Sequence, residues 1–121
     1  MGTAFLLCPE TKLTPAWQEA LKSHRESDTT VTTVISGKPA RGIRNRFIRE
    51  VEALDESLLP YPAQYSLTTT LRQHAASSGH ADFLAMWAGQ GIGLIEEAPA
   101  ADLICSWIDE FNRLSAGQES R

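Results

Sequence analysis

The chain opens on an apolar run, Ala4-Phe5-Leu6-Leu7-Cys8, closed by Pro9 and preceded by Met1-Gly2-Thr3. A short continuous run of this kind reads as a buried strand. Such a strand needs neighbours on both edges, because its N–H and C=O groups must all be paired. Residues 29–35 (TTVTTVI) are β-branched throughout and read as a second strand. No other segment reads as well as a strand. Two strands alone make a marginal sheet. The opening run therefore reads as one strand of a sheet whose other members are missing, and the chain as a piece of a larger enzyme.

Between and after these runs the apolar spacing is helical. Thr14-Pro15 is a helix start, a capping hydroxyl followed by Pro at the first helical position. Trp17, Ala20, Leu21 and His24 follow at helical spacing, to an end near Glu26 to Asp28. Residues 36–42 (SGKPARG) read as a loop broken by Gly and Pro. Ile43, Phe47, Val51 and Leu54 share one face of a second helix, and Pro60-Tyr61-Pro62 stops it. Tyr65, Leu67, Leu71 and Ala75 mark a third helix, ending at Ser78-Gly79. Asp82 to Trp87 reads as a short helix, and Gly89, Gly91 and Gly93 argue against its continuation. The last helix starts at Pro99 and carries the stripe Leu103, Ile104, Trp107, Ile108, Phe111 and Leu114. Ser115 to Arg121 reads as a frayed tail. The expected fold is mostly α with one or two short strands.

Composition narrows the function. Net charge is −4, yet Lys38, Arg41, Arg44, Arg46 and Arg49 fall in a stretch without an acid. A short basic stretch in an acidic chain fits a local anion or carboxylate partner. A nucleic-acid footprint needs a broad positive face, so no nucleic acid is expected. No apolar run approaches the roughly 20 residues of a membrane span, so no membrane partner is expected. Cys8 and Cys105 lie far apart, without metal spacing, and read as two buried, reduced thiols of a cytoplasmic protein.

Three strings carry candidate chemistry. Gly2-Thr3 fits a phosphate contact, since Gly lets an anion approach the backbone and Thr adds a hydroxyl donor. The loop from Ser36 to Asn45 either presents Lys38 and Arg41 to an anion or is a connector whose arginines pair with the acidic C-terminal half. Trp87-Ala88-Gly89-Gln90-Gly91 either brings backbone against a flat cofactor, with Gln90 as a polar contact, or serves a tight helix crossing. His24, His74 and His80 lack metal spacing and read as surface or interface residues. No catalytic residue and no metal ligand is assigned.

The strings GTAFLLCPE, SGKPARGIRNRFI, LPYP and FLAMWAGQGIGLI, in this order, resemble the C-terminal portion of the nitronate monooxygenase family, also called 2-nitropropane dioxygenase. That family is related to flavin-dependent enoyl-ACP reductases. The resemblance implies part of an α/β (β/α)8 TIM barrel with a helical extension. Residues 1–28 would be the last barrel strand and its helix, and residues 29–121 the extension. It implies FMN as cofactor, with Gly2 and Thr3 at its phosphate and Gln90 as a further contact. It implies oxidation of alkyl nitronates or nitroalkanes with O2. The family's catalytic histidine and glycine phosphate loop do not map onto this chain, so the missing barrel portion is required for activity. The other reading is a stand-alone helical interaction module, or a small subunit without catalysis of its own.

Overall fold

The computed structural model describes residues 2–54 and 57–118. Met1, at the head of the expected first strand, and residues 119–121 of the expected tail lie outside them.

The opening run is not a strand. Gly2–Phe5 forms a 3-10 turn, closed by Leu6 N–H to Thr3 C=O and Cys8 N–H to Phe5 C=O, each at 3.1 Å. A second such turn spans Pro9–Thr11. Among the described residues no strand pairs with it, and its backbone bonds close locally. Its side chains still find cover, and Leu7 and Cys8 are buried.

Helix α1 spans Pro15–Ser23, capped by Thr14, whose hydroxyl accepts from Trp17 N–H at 3.4 Å. It buries Ala20 and Leu21. It stops before the expected end, and Glu26–Asp28 forms a separate 3-10 turn.

The expected second strand is shorter, and the loop after it contains a strand that the sequence did not reveal. Strand β1 (Thr29–Thr32) pairs antiparallel with β2 (Ala40–Ile43), in the register Thr29 with Ile43 and Thr32 with Ala40. Gly37 and Pro39 had marked this segment as loop, and they do occupy the turn. On its other edge β2 takes a second partner. Ile43 N–H donates to Met86 C=O at 2.9 Å, and Ala88 N–H donates to Arg41 C=O at 3.2 Å. Gly42 sits at this crossing, bridged to Trp87. A Cβ there would meet Met86 O at 2.8 Å, so only glycine admits the approach.

Helix α2 (Arg46–Ala53) starts on buried Asn45, whose Oδ1 accepts from Ile48 N–H at 3.2 Å. The same side chain donates to Leu84 C=O at 2.7 Å and Ala81 C=O at 3.2 Å, fastening α2 to the later segment. Ile43, expected on this helix, belongs to β2. Helices α3 (Ala63–Leu67) and α4 (Thr69–Ser78) follow, the latter ending on left-handed Gly79 as the sequence indicates. Buried Gln64 donates to Val34 C=O at 2.6 Å, and Thr68 donates to Ile35 C=O at 2.9 Å. Both supply partners to the irregular backbone after β1. The expected short helix after residue 81 is a 3-10 turn, Ala81–Phe83, followed by the extended residues that pair with β2.

Helix α5 runs Ala100–Gln118, so the helix continues through most of the expected tail. Its stripe is only partly covered. Leu103 is buried, while Ile104, Ile108, Phe111 and Leu114 are exposed. Trp107 packs edge-on against Phe5, ring centroids 5.3 Å apart. The core gathers Leu7, Leu21, Ile43, Ala75, Leu84, Met86 and Ile92, with Trp17 and Phe83 against it. It therefore lies directly beneath the opening turn and the glycine-rich segment.

Candidate functional site

The two segments singled out for a cofactor meet in space. Thr3 Oγ1 accepts from Gly89 N–H at 2.8 Å, across 86 residues of sequence. The glycine-rich segment forms a 3-10 turn, Gln90–Leu94, entered through extended Gly89. Ile92 is buried in the core and anchors this turn from below. Leu7 and Cys8 anchor the opening turn in the same way. Both segments thus present their polar edges from a packed base. The tightness of the contact shows at Gly89, where a Cβ would stand 3.0 Å from Thr3 Oγ1.

Gly2 is exposed, and a Cβ on it would meet nothing within 4 Å. The bonds that close the opening turn use N–H groups downstream of Thr3. The edge formed by Gly2 and Thr3 is therefore open, with neutral donors on it. Thr3 Oγ1 accepts one bond and keeps its own proton to give. Gln90 is exposed, and its Nε2 donates to Glu26 Oε1 at 2.9 Å. That contact draws the turn before β1 into the same neighbourhood. Gly89 and Glu26 thus contact the candidate residues Thr3 and Gln90, although sequence reasoning singled out neither for such a contact. Gly89 lay inside a flagged string. Glu26 carried no signal, because its partner is 64 residues away.

The basic loop does not join this site. Arg44 pairs with Glu52 at 2.9 Å and Arg46 with Glu50 at 2.7 Å, both on the flank of α2. Arg46 is held further above its usual pKa by that hydrogen bond and charge. Lys38 lies over the Tyr61 ring at 4.8 Å, and Arg41 donates to Thr29 Oγ1 at 3.1 Å. Arg44 and Arg46 thus pair with carboxylates of α2 rather than of the acidic C-terminal half, while Lys38 and Arg41 meet a ring and a threonine instead of a carboxylate.

Cys105 is exposed on α5, against the expectation of two buried thiols, while Cys8 is buried and both are free. Burial pushes the Cys8 thiol above its usual pKa, and the Glu10 carboxylate adds to this. His74 and His80 are exposed, and His24 is half-buried with Nδ1 2.8 Å from Ala20 O. Among the described residues, no cluster of three His, Cys, Asp or Glu side chains is placed to hold a metal. None of their helices is long and apolar enough to cross a membrane.

Comparison with known proteins gives these segments a context. The sequence is 44% identical over 112 residues to a nitronate monooxygenase of Pseudomonas aeruginosa, covering 92% of this chain and 32% of that protein. It is 41% identical over 105 residues to a probable nitronate monooxygenase of Bacillus subtilis, covering 86% of this chain and 30% of that protein. The fold matches the nitroalkane oxidase of Streptomyces ansochromogenes with a TM-score of 0.87 at 34% identity, over 98% of this chain and 33% of that one. It matches FabK of Thermotoga maritima with a TM-score of 0.76 at 26% identity, over 99% of this chain and 38% of that one. The chain thus spans about a third of the length of these relatives, and its helices and two-stranded sheet match part of a barrel enzyme. The sequence profile of the nitronate monooxygenase family matches residues 1–110, and the chain belongs to that family.

Proposed function

We propose that this chain is the C-terminal portion of an FMN-dependent nitronate monooxygenase, acting on a small nitronate or nitroalkane with O2. In this reading Gly2 and Thr3 lie at the flavin phosphate and Gln90 contacts the cofactor further along. Residues 1–28 belong to the barrel and residues 29–121 to its helical extension. The two free cysteines support a cytoplasmic setting.

The observation that carries the reading is the bond from Gly89 N–H to Thr3 Oγ1. It joins the two strings expected at the cofactor. The residues present fit the group. The Gly2 edge has room for an anion to approach the backbone, and a backbone N–H with the Thr3 hydroxyl is a neutral donor set suited to a phosphate. FMN, when bound, would supply the electron transfer between nitronate and O2. The residues of this chain bind and orient. Thr3 holds Gly89 with a lone pair and, in this reading, gives its own proton to the phosphate, so one hydroxyl both shapes the site and donates into it. Leu7, Ile92 and Leu21 hold this edge from below and keep water from its base.

The test joins residues 1–121 to the preceding two thirds of the P. aeruginosa relative. The joined protein is expected to bind FMN and to consume O2 with a nitronate. The 121-residue chain alone is expected to do neither. Tight FMN binding by the chain alone, or none by a well-folded joined protein, contradicts the reading.

A further inference from the structure

We infer that Glu26 is a positioning residue, which fixes the end of the Gln90 amide that faces the cofactor. The inference rests on the reading that Gln90 contacts FMN. Gln90 Nε2 lies 2.9 Å from Glu26 Oε1. An ionised carboxylate only accepts hydrogen bonds. The NH2 end of the amide must therefore be the one that faces Glu26, because the flipped amide would set two acceptors against each other. One Nε2 proton is thereby engaged, which fixes the orientation of the amide and turns Gln90 Oε1, with the second Nε2 proton beside it, to a ligand.

The consequence is chemical. A free glutamine can turn either end of its amide to a ligand, and Glu26 fixes which end faces away from the carboxylate. Gln90 then accepts from a ring N–H or from a hydroxyl of a sugar-alcohol chain. Oε1 does not take the phosphate, whose oxygens are acceptors as well. The division of labour across the site follows. Thr3 gives a proton at the anionic end, and Gln90 receives one from a neutral donor elsewhere on the cofactor. The arrangement is built from both sides. Gly89, the residue before Gln90, is pinned by Thr3 at 2.8 Å. Glu26 stands at the start of the turn whose end is fixed by Asp28 Oδ2, which accepts from Arg25 N–H at 2.7 Å. Thr29 Oγ1 also donates to Glu26 C=O at 2.8 Å, so the backbone that carries the carboxylate is tied to β1.

Two measurements test this. In the 121-residue chain, the Gln90 side-chain amide is followed by nitrogen-15 NMR. One of its protons is expected to be shifted and slowed in exchange, and Glu26→Ala is expected to abolish both effects. A Gln90 amide that is unchanged in E26A overturns the inference. In the joined protein, FMN is titrated against E26A, Gln90→Ala and the double variant. Each single variant is expected to raise the FMN Kd by about three- to tenfold, the range of one hydrogen bond. The double variant is expected to match Q90A alone, because Glu26 acts through Gln90. Additive losses overturn the positioning role while leaving Gln90 as a contact. An unchanged Kd in Q90A overturns the contact, and the positioning role with it.

Discussion

Thr3 and Gly89 stand 86 positions apart and share one hydrogen bond, 2.8 Å from hydroxyl oxygen to amide nitrogen. The bond closes the polar edge of the molecule over its core. Replacing Thr3 by Val keeps the shape and leaves the Gly89 N–H without its acceptor. A loss of about 1 kcal/mol is expected, the usual value for one part-buried hydrogen bond. Thr3→Ser should retain most of the stability. Urea unfolding reads both, with the midpoint moving in T3V and the slope unchanged.

Asn45 is the next hub. Its amide caps α2 and donates to two carbonyls of the segment at residues 81–84. Asn45→Ala removes all three bonds at a buried position. The expected loss is about 2–3 kcal/mol, a helix cap plus buried unsatisfied carbonyls. Asn45→Asp keeps the cap but sets a carboxylate against two carbonyl oxygens, so it should recover little. Calorimetric melting of the three proteins ranks them.

Gly42 and Gly79 separate two kinds of glycine requirement. Gly79 has φ +71° and open space around a Cβ, whereas a Cβ on Gly42 would meet Met86 O at 2.8 Å. Gly79→Ala should cost about 1 kcal/mol of left-handed strain. Gly42→Ala should cost more, because backbone rather than a mobile side chain must give way. Equal midpoint shifts in denaturant would contradict the close crossing of β2 and residues 86–88.

The Cys8 thiol titrates above its usual value of 9.0, for reasons of burial first and the Glu10 carboxylate second. Its folded form prefers to stay neutral. The stability linked to it is complete below the ordinary thiol value and falls as pH rises past it towards the raised one. Cys8→Ala should therefore lose less stability than the parent chain as pH rises above 9.0. A thiol reagent at neutral pH should label Cys105 quickly and Cys8 slowly, since Cys105 is exposed and Cys8 buried.

Much of this fold is legible in the sequence where the signal is local. Thr14-Pro15 announces α1, Ser78-Gly79 ends α4, and Pro99 opens α5. What fails is decided by distant partners. The run Ala4 to Leu7 has the composition of a strand, but composition cannot supply neighbouring strands, and the backbone closes on itself as a turn. Strand β2 hides behind Gly and Pro signals, because Arg41 and Gly42 owe their extended form to pairing with Thr29–Thr32 on one side and Trp87 on the other. Cys105 is exposed on α5, a helix that buries Leu103 and packs Trp107 on Phe5 but leaves Ile104, Ile108, Phe111 and Leu114 exposed. The candidate site is half legible. Gly2, Thr3 and Gln90 stand in flagged strings, whereas Glu26 enters only through a contact that no local pattern encodes.

The central claim is that Thr3 and Gln90 line one cofactor edge. It is tested most directly by the FMN Kd of the joined protein with Thr3→Ala, set beside Leu114→Ala on the exposed face of α5. The account predicts about tenfold weaker FMN binding in T3A, the value of a hydrogen bond to a charged phosphate, and no change in L114A. An FMN Kd that is the same in T3A as in the parent would contradict it.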